Sequence, residues 1–426
     1  MPSSCQDDGQ GRQRQPRLLL LLFAVTMRAL LLSSYSLIST YYPQYIKKEP
    51  YNQKRPSELT GYVLSAFSPT FVLGSLIAGH YVLRSHGSKF CLVTGLFVAG
   101  AAWLIFAALE YVTEWRYFLA FSIVLRVAIG LGVASADVAS FSLVAASYPE
   151  KIGVVAGLME LTWTLGNMIG PPFGGSLYDW MGFAMPAGVT GILLLLFSLV
   201  AIFLPTGNSS QPSHTSNQTV YVSTKQFFGQ IFRLWPILSL ASTYIYTIAL
   251  AFPQATLSDF LHTKYNFSPK DVGVVLLVGT VPSILATPVV GRLCDIVHPR
   301  LFTPIGVIMA AAGGFFLVSF GHVIELQYLA QISIGFGGAF TYCPAYTDLN
   351  NELCKRLEKD KLDENTTGKL YSVFVIFGNL GRVTGSAAGG ASVDYLGFGE
   401  ATILWGIIGT SFGVVYLLIF ALSRAC

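Results

Sequence analysis

The sequence predicts an all-α membrane protein of twelve transmembrane helices, built as two six-helix repeats in parallel orientation. Three observations predict it. Of 426 residues, 53% are hydrophobic and only 11% charged, against roughly 25% charged in an ordinary soluble domain. Crossing a hydrocarbon core takes about 20 helical residues, and twelve apolar runs of that order can be read, at 18–42, 59–82, 90–109, 117–147, 152–178, 183–205, 232–256, 272–291, 301–320, 326–348, 367–392 and 400–423. Finally, "LGNMIGPPFGGSLYDWMGF" (Leu165 to Phe183) and "LGRVTGSAAGGASVDYLGF" (Leu380 to Phe398) match at eight of nineteen positions when slid by 215 residues, about half the chain.

The first span follows the basic stretch "RQRQPR" and carries Arg28. A secretory signal also begins this way, but the apolar run resumes through "ALLLSSYSLISTYYP", and a single span with Arg28 buried in protein is expected. The fourth span holds "RVAIGLGVA" (Arg126 to Ala134) and the tenth "QISIGFGGA" (Gln331 to Ala339), matched at an offset of 205. The offset changes because the second half inserts "CKRLEKDKLDEN" where the first has "SYPEK". In the fifth span Gly166, Gly170, Gly174 and Gly175 form a stripe without side chains, as small residues do where membrane helices pack closely. Pro171 and Pro172 remove backbone donors there and bend the helix. The organisation expected is a cytoplasmic segment at 1–17, a six-helix bundle at 18–205, a cytoplasmic linker at 206–231 and a second bundle at 232–426.

Charge sets the orientation. With both termini cytoplasmic, the inside segments hold sixteen Lys and Arg and the outside loops seven, the bias that positive-inside topology requires. The net charge of +4 therefore reports topology, and no nucleic-acid partner is implied. The sequons at Asn208 and Asn217 fall in the inside linker and are expected to stay unglycosylated. Six cysteines without a CxxC pair imply neither a disulfide framework nor a zinc site. No GxxxxGK[ST] or HExxH pattern occurs, and the six histidines lie scattered at span ends and loops, so no cofactor, metal or enzyme chemistry is indicated.

A charge in lipid is costly unless it faces protein or water, so ionisable residues inside spans point to function. Arg126 and Asp137 are eleven residues apart, within about 20° on an ideal helix but about three turns apart. Glu160 shares a stripe with Trp163 and Asn167, and a carboxylate beside an indole can seat an ammonium group. A structural pairing of Arg126 with Glu160 or Asp137 is the competing reading. Arg28, Arg382 and Asp348 complete the set of buried charges, with positive and negative nearly balanced.

"GNMIGPPFGG" (Gly166 to Gly175) resembles the fifth-helix antiporter signature GxxxGPxxGG of the major facilitator superfamily, and "RVAIGLGVA" resembles its fourth-helix RxxxGxGxA. "GRLCD" (Gly291 to Asp295) resembles the gating-loop signature between the second and third helices of a half. The first-half copy, "GHYVLRSHGSK", departs, with Arg84 at the usual acidic position. Within the superfamily, "YSLISTYYP", "AGLMELTWTLGNMIGPPFGGSLYDWMGF" and "TLSDFLHTKYNFSPKDVGVVLL" resemble the vesicular amine transporter family, in its polyamine branch. The resemblance implies alternating access and proton-coupled antiport of an organic amine or polyamine by a monomer in a vesicle or plasma membrane. The charged residues inside spans and the Glu160 stripe, together with the family's seventh-helix position, outline an expected substrate and proton pathway through Arg28, Arg126, Asp137, Glu160, Trp163, Asn167, Gln254, Asp348 and Arg382. Leu31 occupies the first-helix acidic position of the monoamine members, as the resemblance to the polyamine branch implies, and one departure stands out: Gln254 replaces a seventh-helix acid. Glutamine cannot exchange a proton. An organic anion or zwitterion as substrate, or a transport-dead sensor or scaffold of the same fold, stays open on these grounds.

Overall fold

The computed structural model describes the backbone of residues 7–48, 51, 53–148, 152–203, 224–316, 318, 323–357 and 364–425, and no strand occurs among them. The linker sequons Asn208 and Asn217 lie outside the described residues. Eight stretches among the described residues are long and apolar enough to cross a bilayer: Leu19–Lys47, Pro56–Ile77, Ser85–Tyr111, Trp115–Val144, Ala184–Phe203, Leu234–Tyr265, Pro269–Cys294 and Phe398–Arg424. The other four expected spans fall on helices that are not among these eight.

The chain divides into two compact units, Met1–Ile38 with Thr70–His214, and Ser39–Pro69 with Thr215–Cys426. The first contains α1 (Asp7–Ser33), most of α4 (Phe67–Ile77), α5 (Leu83–Ala107), α6 (Trp115–Ser147), α7 (Ile152–Met181) and α8 (Ala184–Phe203). The second contains α2 (Tyr42–Lys47), α3 (Pro56–Ser65), α9 (Thr224–Ile231), α10 (Leu234–Tyr265), α11 (Pro269–Ile296), α12 (Pro299–Ile308), α13 (Ile324–Arg356), α14 (Glu364–Leu396) and α15 (Phe398–Ala425).

Glycines set the crossings, and the repeat repeats them. In the first unit Gly166, Gly170 and Gly174 of α7 press on Ala29, Ser33 and Leu37, along α1 and the turn after it. In the second, Gly381, Gly385 and Gly389 of α14 press on Tyr244, Ile248 and Phe252 of α10. Each of these three glycines lies 215 residues beyond its first-unit counterpart. At the other echo, a Cβ on Gly132 of α6 would stand 2.7 Å from the Ala99 nitrogen and the Gly95 oxygen of α5. A Cβ on Gly337 of α13 would stand 2.7 Å from the Gly306 oxygen and 2.8 Å from the Ala310 nitrogen. Contacts of this kind let helix backbones approach closely, the main source of cohesion where no hydrophobic effect separates helix from lipid.

The repeat also fixes where helices stop. Gly182 and Gly397, again 215 apart, have φ of 82° and 91°, and their N–H groups donate to Tyr178 and Val393 at 2.8 and 2.9 Å. Such left-handed residues close α7 and α14 without a Cβ penalty. Gly87, at φ 83°, breaks α5 inside the departed loop signature. The "GRLCD" stretch, expected as a loop, is instead helical, because α11 runs on to Ile296.

The first span is one span but not one helix. α1 ends at Ser33, a 3-10 turn covers Leu37–Ser39, and α2 starts at Tyr42 with Pro43 in its first turn. The serines of "SSYSLIST" explain the break, since short hydroxyl side chains compete for backbone hydrogen bonds; the Ser33 hydroxyl donates to the Leu30 carbonyl at 2.7 Å.

Candidate functional site

A helix that stops inside a bilayer leaves its last carbonyls without helical partners, and one side chain answers this in the first unit. Arg126 of α6 is fully buried and donates through Nη1 to the Ser34 carbonyl at 2.6 Å and through Nη2 to the Tyr35 carbonyl at 2.9 Å. Trp103 of α5 adds a bond from Nε1 to the Ser34 hydroxyl at 3.0 Å. About three turns along α6, Asp137 accepts from Arg28 Nε of α1 at 2.5 Å, with both side chains largely buried. The common face expected of Arg126 and Asp137 is therefore real, and it is turned toward α1. Asp137 is seated on Arg28 rather than paired with Arg126.

Glu160 and Asp295 have side chains outside the described residues. Of the stripe expected around Glu160, Trp163 meets Phe71 edge to face with ring centroids 5.5 Å apart. Asn167 donates to the Trp163 carbonyl at 3.1 Å, and its own carbonyl accepts from the Ser36 hydroxyl at 3.4 Å. The glycine stripe of Gly166, Gly170 and Gly174 thus seats α7 on the end of α1 and the turn after it, with Pro171, Pro172 and Gly175 carried inside the helix.

In the second unit Asp348 of α13 accepts from Arg300 Nε at 2.8 Å and from the Ser239 hydroxyl at 2.9 Å. Arg300 also pairs with Glu352, which Arg356 reaches at 2.6 Å, and its guanidinium sits 4.3 Å from the Trp235 ring centroid. Burial disfavours the Glu352 charge, yet its bonds to Arg300 and Arg356 outweigh that and hold the carboxyl below its ordinary range. Of this network the sequence signalled only Asp348. The i, i+4 spacing of Asp348 and Glu352 was readable, but their arginine came from another helix.

Gln254 and Arg382 are both buried, at 6% and 5% exposure. Gln254 Oε1 has no hydrogen-bond partner. Four residues on, the Ser258 hydroxyl donates to the Thr40 carbonyl and accepts from Gln44 Nε2 at 3.3 Å. Among the described residues no group of three or more His, Cys, Asp or Glu could hold a metal ion.

Comparison with known proteins places this geometry. Residues 18–356 match the family model of the Major Facilitator Superfamily. The human MFS-type transporter SLC18B1 is 25% identical over 98% of this chain and 90% of its own length. The mouse vesicular acetylcholine transporter is 25% identical over 77% of this chain and 59% of its own. Among solved structures, the nucleoside transporter NupG superposes with a TM-score of 0.75 over 95% of this chain and 99% of that one, at 11% identity, a likeness of fold alone.

Proposed function

The chain belongs to the major facilitator superfamily of membrane transporters, and we propose that it is a proton-coupled antiporter of an organic amine or polyamine. It is a multi-pass membrane protein and a transporter, not an enzyme. The observation that carries the amine reading is how the first unit uses its buried arginines. Arg28 is bound to Asp137 and Arg126 to two backbone carbonyls. Both cations are engaged in holding the helices of their own unit, so neither is presented to an anionic substrate. Similarity to vesicular amine and acetylcholine transporters points the same way.

A second reading, an organic anion or zwitterion as substrate, is favoured by Arg382, buried on α14, and by Gln254, at the position where the family resemblance implies an acid. Uptake of labelled amines, polyamines and organic anions into proteoliposomes, with and without an imposed pH gradient, separates the two. Accumulation of amines that collapses with the gradient supports the proposal. Gradient-independent uptake of anions supports the second reading, and no flux of any compound identifies a sensor or scaffold. We place both termini on the cytoplasmic side of a vesicle or plasma membrane, on the sixteen-to-seven bias of Lys and Arg.

A further inference from the structure

The repeat places Asp179 and Asp394 at the same position, at the ends of α7 and α14. Their surroundings differ. Asp179 is exposed, whereas Asp394 is half-buried under the start of α3. There Asp394 Oδ2 accepts from the Glu58 backbone N–H at 2.7 Å. The two helices touch through glycines on both sides: Gly61 of α3 lies against the Ser386 carbonyl, and Gly390 of α14 against the Ser57 carbonyl. α3 is thus docked on α14 by backbone contact, with one carboxylate at the rim of the dock.

We propose that Asp394 is a proton-binding site whose protonation tightens the docking of α3 on α14. The charges around it are mostly of its own sign. From α3 comes Glu58, its Oε1 accepting from the Tyr62 hydroxyl at 2.7 Å. From α10 comes Asp259, which Lys47 of α2 pairs at 2.7 Å. Arg55, just before α3, brings a cation to the dock; it is 53% exposed, lies 3.5 Å from Glu58 and donates to the Tyr395 hydroxyl at 2.7 Å. Glu400 of α15 and Glu325 of α13 are exposed, where water screens them. Burial chiefly, then the Asp259 and Glu58 charges, push the Asp394 carboxyl up to about 6 against the bond from Glu58 N–H.

The sign follows by linkage. A carboxyl that binds its proton more tightly when docked than when free favours the docked state in acid. Docking is therefore tightest at and below the ordinary carboxylate range, and it loosens as pH rises through about 6. The dock lies at the end of the second unit that the orientation above places outside the cytosol. On that reading, on which this inference rests for its physiological meaning, acid in the lumen or outside would draw α3 onto α14.

Hydrogen exchange of the full-length protein in nanodiscs, corrected for the intrinsic pH dependence of exchange, tests the dock without any transport measurement. It can therefore fail while the antiport reading stands, and the reverse. Amide protection over residues 56–65 should fall by about tenfold between pH 5 and pH 7.5 in the wild type, the part of a two-unit shift that lies in that window when the docked carboxyl titrates near 6. In Asp394→Asn, which keeps the acceptor and cannot ionise, protection should stay high at both pH values. Asp259→Asn, which removes a neighbouring negative charge, should move the midpoint to lower pH. The same profile in wild type and Asp394→Asn, or protection rising with pH, overturns the proposal. If Asp394→Asn does not fold, an unmoved midpoint in Asp259→Asn overturns it.

Discussion

The Arg126 guanidinium lies 2.6 Å from the carbonyl oxygen of Ser34, the first residue beyond α1, which comes to an end in the middle of an apolar span. The charge is less a ligand waiting for substrate than the group that makes a break in the first span tolerable. Hydrogen bonds from a charged group contribute about 1.5–3 kcal/mol each, and Arg126 makes two to these carbonyls. Arg126→Leu should therefore lower stability by about 3 kcal/mol or more. Thermal unfolding and the yield of folded protein in detergent measure it. Unchanged stability with abolished flux would recast Arg126 as a substrate residue.

Arg28 and Asp137 form a pair that matters most when half of it is removed. Leaving one member of a buried pair alone costs about 3–5 kcal/mol, whereas replacing both with apolar residues is often nearly neutral. Arg28→Leu and Asp137→Leu should each destabilise by that amount, and the double variant should recover most of the loss. A double-mutant cycle on thermal stability reads the coupling. Additive losses would mean that the two side chains act independently.

The sequence carried the packing more fully than the chemistry. Backbone contacts need small residues at fixed spacing, so both glycine ladders and the paired stops at Gly182 and Gly397 were readable as an echo at one offset. The break after Ser33 was not, because hydropathy counts Ser and Tyr alike whether or not a helix runs through them. The pairing of Arg28 with Asp137 and of Arg300 with Asp348 was hidden for another reason. Periodicity gives the face of one helix but not the neighbour that the face meets. Arg300 was hidden further by its place one residue before the expected span 301–320, where an arginine looks like ordinary positive-inside charge.

The paired ladders make a matched prediction. A Cβ at Gly170 would overlap the Ser36 hydroxyl and stand 2.9 Å from the Ser33 carbonyl oxygen, and one at Gly385 would stand 2.6 Å from the Ile248 carbonyl oxygen. Over-packing of this kind costs about 1–3 kcal/mol. Gly170→Ala and Gly385→Ala should each lower the melting temperature, by similar amounts. Gly399→Ala, where the added atom meets nothing within 4 Å, should stay within about 0.5 kcal/mol of wild type. A neutral Gly385→Ala beside a damaging Gly170→Ala would show that the repeat is preserved in sequence without a shared packing role.

Glu160 is the residue on which the antiport proposal depends most. Asp137 is bound to Arg28, and Asp348 to Arg300 and Ser239, so both carboxylates already hold partners within their own units. Gln254 has no charge to give. Among the acidic residues of the first-half spans, Glu160 is the one left to the expected pathway, on the stripe with Trp163 and Asn167. Glu160→Gln keeps size and hydrogen-bonding capacity while removing charge and titration. Flux driven by a pH gradient, per folded molecule, should fall by tenfold or more, which corresponds to about 1.4 kcal/mol of binding. If Glu160 instead serves as a structural partner, the variant should be less stable with normal flux per folded molecule. Measuring flux and thermal stability on one preparation tells these apart. Normal flux would remove Glu160 from the pathway and move the search for the coupling proton to the second unit.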